Sequence, residues 1–275
     1  MTNKLELIDP SFLLCPKCKS KKLKQTNTYL ECQDCGSKYN KKNNKLFFTE
    51  RFFDVDNWES ESVEFDTVKR GKLRFRRIDK IGGPRIRDLK SYLNVSGLAL
   101  NLGGGSDNCE GYINIDLGRY PNVHIVSPLE KIPYQDATVD LVVSNSVLEH
   151  IKDYKTVINE IYRILKPGSY FYLSVPSFCM RHHKYDYHRW TIPGLLEMLK
   201  DFEIVESGSC RGVAYALNKL IESLIVYKTK PGIIREILRR SWLFLSRPFY
   251  WIKADGSAEY EAMSQTIYAI VKKPK

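Results

Sequence analysis

The chain has 275 residues, 43% of them apolar and 27% charged, which is enough to bury a full core and longer than one average domain. Its formal charge of +11 leaves two readings open, an anionic partner such as nucleic acid or an anionic membrane surface, or simply a lysine-rich solvated face. No 18 apolar residues run together, the start lacks the basic and apolar pattern of a secretory signal, and seven cysteines are too few for a disulfide scaffold, so a cytoplasmic chain without a membrane span is expected.

In chain order, the first element is a small basic module over residues 1–50, with ten lysines against five acidic residues. It contains "CPKCKSKKLKQTNTYLECQDC", two C-x-x-C pairs with thirteen residues between them. Each pair can hold two sulfurs on one side of a tight turn, and two such knuckles suit a tetrahedral Zn2+ site of Cys15, Cys18, Cys32 and Cys35. Four thiolates leave no open position, so the zinc expected here is structural. "TYLEC" and "SKYN" read as short strands of this ribbon. Residues 51–80 have mixed charge and no sustained period, and they read as a connector with aromatic anchors Phe52, Phe53, Trp58 and Phe65.

Residues 81–275 open with "PRIRDLKSYL", spaced as a short amphipathic helix. "GLALNL" and "GYINIDL" are apolar runs of strand length, as in a parallel sheet buried on both faces. Between them lies "GGGSDNCE". The pattern does not complete a dinucleotide fingerprint, because Asn108 stands at the third glycine position and Asp116 comes too early. No Lys-Ser or Lys-Thr follows, which excludes a phosphate loop. A cofactor with a ribose and an amino acid but no phosphates needs bare backbone and a carboxylate at the second strand's end. Gly103, Gly104, Gly105 and Asp116 supply both, which is the recognition chemistry of S-adenosyl-L-methionine. About nine residues separate the two strands, so the first helix is expected to shrink to about a turn. Next come a strand over Val139–Val143, small polar residues at its carboxyl end, an amphipathic helix stopped by Pro-Gly, and another apolar strand.

The ordered set "LNLGGGS", "INIDL", "IPYQDATVDLVVSNSVLEHI" and "EIYRILKPGSYFYLSVP" resembles the class I S-adenosylmethionine-dependent methyltransferases, over residues 95–212 or so. The front module is similar to zinc ribbons fused to, or partnered with, such enzymes. The resemblance implies an α/β fold, a Rossmann-like methyltransferase sheet with helices on both faces, plus the small N-terminal zinc ribbon. It implies that Gly103 and Gly105 border the cofactor, that Asp116 holds the ribose, that Leu129 falls near the adenine, and that Asn145 and Ser146 lie under the methionine end. Asn101 stands where many relatives have an aspartate.

After the last of these strands, "VPSFCMRHHKYDYHRWTIPGLL" gathers histidines, aromatics and an aspartate where the acceptor would sit. A hydroxyl acceptor gains from a base near neutral pKa, which makes His188 and then His183 the candidates, with Tyr187 and Arg189 orienting the substrate. The competing reading is that His188 and Arg189 tie the loop to the sheet. Glu149 and His150 read either as cofactor neighbours or as a structural pair. An insert at 214–253 mixes apolar clusters with eight basic and two acidic residues, which suits a membrane surface, a cap or a dimer face.

Three functions follow as expectations. The first is a methyltransferase acting on an O or N acceptor, a small-molecule or lipid-linked substrate such as a sugar precursor. The second is an RNA methyltransferase, favoured by the charge and disfavoured by "SNSVLEH", where a base-holding Asn-Pro-Pro-Tyr motif would stand. The third is a non-catalytic scaffold that retains a degenerate cofactor fold.

Overall fold

Strand-length apolar runs and the β-rich front module come together in one mixed sheet in the computed structural model, which describes residues 8–50, 52, 84–107, 109–211, 213–230, 232–246 and 264–275. The front module gives β1 (Leu23–Gln25), β2 (Tyr29–Cys32), β3 (Lys38–Lys42) and β4 (Lys45–Phe47), antiparallel neighbours in sequence order. The larger part contributes β5 (Ala99–Leu102), β6 (Ile113–Asp116), β7 (Ile125–Val126), β8 (Val139–Asn145), β9 (Leu165–Pro176), β10 (Glu203–Arg211) and β11 (Thr266–Lys272). The order across the sheet is β1-β2-β3-β4-β7-β6-β5-β8-β9-β11-β10.

From β7 to β9 every pairing is parallel, and β11 is antiparallel to both β9 and β10. Alternation divides the central strands between two cores. Leu100, Leu102, Val142, Phe171, Leu173 and Val175 join one cluster, with Val157, Ile158, Ile161 and Ile164 of helix α2 (Tyr154–Ile164) and Leu195 of helix α3 (Ile192–Met198). Ala99, Leu141, Val143, Tyr172 and Ile270 face the other way, against Leu89 of the short helix α1 (Leu89–Tyr92). Period-2 side chains on strands and helices over both faces are the layering that a buried parallel sheet requires.

The ribbon is not a bead on a string. β4 pairs in parallel with β7, Leu46 opposite Ile125 and Phe47 opposite Val126, so the ribbon extends the sheet by four strands. Leu13 bridges to Tyr134 and Gln135 Nε2 donates to the carbonyls of Ser11 and Leu13, which straps the module's start to the loop before β8. Leu13, Leu30 and Leu46 lie in the same core cluster as Ile115, Ile125 and Tyr134. Of the expected connector 51–80, only Phe52 is among the described residues; its ring packs near Phe47, and the Arg119 guanidinium lies 4.4 Å from its centre.

Two local expectations are corrected. Between β5 and β6 the described residues form turns only, without the single helical turn anticipated, because Gly103–Gly105 and Gly111 take up the reversal. The helix α2 ends at Ile164, and Pro167–Gly168 falls inside β9, where Gly168 has φ +80° at a register shift against β8. The insert begins as two helices, α4 (Val213–Lys228) and α5 (Ile233–Leu245), and residues 247–253 lie outside the described set. Ile233, Ile234 and Leu245 are each more than 60% exposed, and Arg239 ties the pair together through Glu222 at 3.0 Å. No described helix is long and apolar enough to cross a membrane.

Candidate active site

A cleft of about 380 Å³ opens at the carboxyl ends of β5, β6 and β8, where ligands bind in open α/β sheets. Of the predicted cofactor residues, Gly103, Gly105, Asp116, Leu129 and Ser146 line it. Gly103 has φ +67°, and a Cβ there would stand 2.5 Å from the Val147 side chain, so the residue must be bare for two separate reasons. Asp116 closes β6 with its carboxylate held by two backbone amides, Oδ2 accepting from Gly105 at 2.9 Å and Oδ1 from Gly118 at 2.7 Å. Burial raises its pKa above the ordinary carboxylate value against the pull of those amides. Pro128 and Leu129 add an apolar wall close by. An anchored carboxylate for paired hydroxyls, exposed glycine backbone and an apolar flank fit a nucleoside-bearing cofactor such as S-adenosylmethionine.

Two predicted cofactor residues do not line the cleft. A Cβ on Gly104 would meet the Asn101 side chain at 2.4 Å, which makes Gly104 a packing glycine. Asn145 turns its Oδ1 to the Ser174 hydroxyl on the neighbouring strand. The two candidate bases also lie off it. His188 Nε2 donates to the Ile151 carbonyl at 3.2 Å, and its ring packs edge-on against Tyr154 and beside Trp190. His183 is buried, its Nδ1 accepting from the Tyr185 amide at 3.1 Å. The loop-tying reading of His188 therefore describes its observed contacts. Arg189 does the same work, clamping Asp186 and donating to the Cys179 and Met180 carbonyls.

The cleft's other wall holds His150, Lys152, Tyr185 and Tyr187, with Tyr120 beside the carboxylate. Tyr187 is the tyrosine named near substrate, Tyr185 belongs to the same histidine- and aromatic-rich stretch, and Tyr120 is marked by no residue pattern. Glu149 and His150 occupy a short turn after β8 and meet the loop that follows β9. Burial pushes the Glu149 carboxyl up to about 8 and the His150 imidazole down to about 4. The Asp186 side chain, fully enclosed, accepts from the His182 amide at 2.9 Å and pairs with Arg189. Burial opposes its ionisation, and the bonds from Arg189 and His182 outweigh that and hold it below the usual carboxylate range.

In the ribbon the sulfurs of Cys15, Cys18, Cys32 and Cys35 all lie within 4.8 Å of one another, with Cys15–Cys35 at 3.6 Å and Cys18–Cys32 at 3.5 Å. Sulfurs bonded tetrahedrally at about 2.3 Å sit about 3.8 Å apart, so the cluster has the dimensions of a four-thiolate metal site. The Tyr39 hydroxyl at 2.9 Å from Cys15 and the Ser37 hydroxyl at 3.2 Å from Cys35 give two of the sulfurs an outer hydrogen bond.

Residues 105–173 match the methyltransferase domain family. A Mycolicibacterium smegmatis protein named as a probable S-adenosylmethionine-dependent methyltransferase is 38% identical over 74 residues, 26% of this chain and 29% of that one. A dimethylglycine N-methyltransferase of Parasynechococcus marenigrum is 34% identical over 80 residues, 28% of each chain. The chain thus matches under a third of the length of either relative. Among solved structures, a Haemonchus contortus phosphoethanolamine N-methyltransferase aligns at 15% identity with TM-score 0.41, over 65% of this chain and 49% of that one.

Proposed function

We propose that this chain, whose residues 105–173 carry a methyltransferase domain, transfers a methyl group from S-adenosyl-L-methionine to an O or N acceptor. The observation that carries this reading is Asp116, a half-buried carboxylate at the end of the second parallel strand, fixed by backbone amides beside the bare turn at Gly103–Gly105. Asp116 would accept the two ribose hydroxyls, the glycine backbone would pass the methionine end, and Leu129 would flank the adenine. The bound cofactor supplies an electrophilic methyl on a sulfonium. What the protein must add is position and dryness, since holding two reactants in line converts most of the barrier into a binding problem. Tyr185, Tyr187 and His150 face the same cleft and would position the acceptor.

The acceptor we favour is a sugar or lipid-linked precursor. The support is the α4–α5 pair, which exposes Ile233, Ile234, Ile237, Phe244 and Leu245 together with Arg240 and other basic groups, a pattern suited to contact with an anionic membrane surface. Zinc in the four-thiolate cluster belongs to the same reading, as a structural ion that lets a ribbon too small for its own core fold.

The test is calorimetric titration of zinc-replete protein with S-adenosylmethionine, alongside Asp116→Ala. Binding by the parent and its loss in the variant support the reading. No binding by the parent would favour a scaffold that keeps the fold without its chemistry.

A further inference from the structure

Two histidines from different parts of the sheet meet nitrogen to nitrogen. His150 follows β8, His182 follows β9, and their Nε2 atoms are 3.2 Å apart. The other nitrogen of each ring is already committed. His150 Nδ1 lies 2.8 Å from the Tyr185 carbonyl, which can only accept, so Nδ1 carries the hydrogen and Nε2 holds a lone pair. His182 Nδ1 lies 3.1 Å from the Asp186 carboxylate, which likewise accepts, so in the neutral ring its Nε2 also holds a lone pair. Two lone pairs turned toward each other at this distance are reconciled either by a proton on His182, paired with Asp186, or by a metal ion bound to both rings.

A carboxylate completes the set. The Glu149 side chain has no exposed surface, and neither of its oxygens has a hydrogen-bond partner. Its Oε1 lies 4.0 Å from His150 Nε2, and one ligand atom from each of Glu149, His150 and His182 falls within 4.8 Å of the others. A buried carboxylate that finds no donor is costly, and coordination to a metal is one of the few arrangements that compensates it. Outward Nδ1–H bonds to a carbonyl and a carboxylate are also the usual way that metal-binding imidazoles are oriented.

We propose that Glu149, His150 and His182 form a second metal centre, separate from the ribbon, that binds a divalent transition ion through two imidazoles and one carboxylate. That ligand set is typical of zinc and non-haem iron sites that keep positions open. His150 lines the cleft beside Tyr185 and Tyr187, so an ion held by it would lie at the edge of the region where an acceptor would enter. An ion there would bind and polarise an acceptor oxygen. This role rests on the methyltransferase reading; the metal site itself does not. Asp186 is a positioning residue, aiming His182 while Arg189 holds Asp186.

The full chain with zinc in its ribbon is titrated with Co2+ and followed by visible absorption and metal analysis. The expected result is one Co2+ per chain with d–d bands, without the intense thiolate charge-transfer absorption that replacement in the ribbon would give. Glu149→Gln and His182→Ala lose this ion and keep the ribbon zinc, which also reports that they fold. Asp186→Asn weakens Co2+ binding about 10- to 100-fold. Absence of Co2+ uptake by the parent, or undiminished uptake by Glu149→Gln, overturns the proposal. Cofactor calorimetry is run in parallel: Co2+ uptake without S-adenosylmethionine binding leaves the metal centre standing and removes its methyl-transfer role, and the reverse pattern does the opposite.

Discussion

The Asp116 carboxylate accepts from the Gly105 amide at 2.9 Å, so the group proposed to grip the ribose is also the latch of the loop beside it. Asp116→Asn keeps one oxygen for these amides and forfeits the charge. Hydrogen bonds to charged groups contribute about 1.5–3 kcal/mol, so the Asn variant is expected to bind S-adenosylmethionine about 10- to 100-fold more weakly, and because its NH2 faces one of the two backbone donors its melting temperature should fall by a few degrees, less than that of Asp116→Ala. Asp116→Ala releases the loop as well and should lose both. Calorimetry with thermal denaturation separates the two effects.

The same carboxylate makes opposite contributions to stability and to binding as pH changes. Burial raises its pKa, so above the ordinary carboxylate value the folded chain retains a proton that the unfolded chain has released. The unfolded state then binds fewer protons, and stability falls as pH rises until the raised value is passed. Cofactor binding needs the ionised form and should strengthen over that window, then level off. Asp116→Asn is expected to flatten both trends, and calorimetric titrations and chemical denaturation between pH 4 and neutrality would show it.

Gly103 and Gly105 both have positive φ, yet they differ in surroundings. A Cβ on Gly105 meets nothing within 4 Å, whereas one on Gly103 strikes Val147 at 2.5 Å. Gly105→Ala should cost only the left-handed backbone penalty of about 1–2 kcal/mol. Gly103→Ala adds overpacking, for a total of about 2–5 kcal/mol. Equal melting temperatures for the two variants would contradict this account of the loop.

Cys32→Ser is expected to release the ribbon's metal and to weaken cofactor binding, although the site is in the other part of the molecule. The path is short. β4 pairs with β7, the Phe48 amide donates to the Val126 carbonyl, and the chain leaving β7 reaches Pro128 and Leu129 in the cleft wall. Metal analysis together with S-adenosylmethionine titration would test this. A metal-free variant with unchanged affinity would mean that the two parts are mechanically independent.

His188→Gln should leave cofactor affinity unchanged and lower the melting temperature by a few degrees, since about 1 kcal/mol corresponds to roughly 2–4 °C at this size. The ring's contacts are with the Ile151 carbonyl, Tyr154 and Trp190, all packing partners. An unchanged melting temperature with a lost affinity would place the ring in the cleft instead.

Much of this architecture is local in origin and therefore legible in the chain. "GLALNL" and "INIDL" are buried on both sides and say so by lacking alternation, and paired C-x-x-C knuckles announce their geometry through spacing alone. Asp116 could be chosen because the glycines before it and the strand carrying it are contiguous. What escaped is long-range. Nothing near Leu46 in the sequence names Ile125 as its neighbour, so the union of ribbon and sheet was invisible. The approach of His182 to His150 likewise depends on β8 and β9 lying side by side. Residue type makes His188 a candidate base or a loop tie, and only the fold shows its Nε2 directed at the Ile151 carbonyl.

The two-residue strand β7 has a consequence of its own. Ile125 and Val126 are wholly covered because β4 occupies the flank that would otherwise be the last edge of the parallel array. If the thiolate cluster loses its ion and β4 comes away, a short apolar edge with unanswered backbone groups is left facing water, ready to recruit any extended chain. Metal starvation should therefore turn a covered edge into an adhesive one, and the ribbon's thiols guard against aggregation as much as they guard shape.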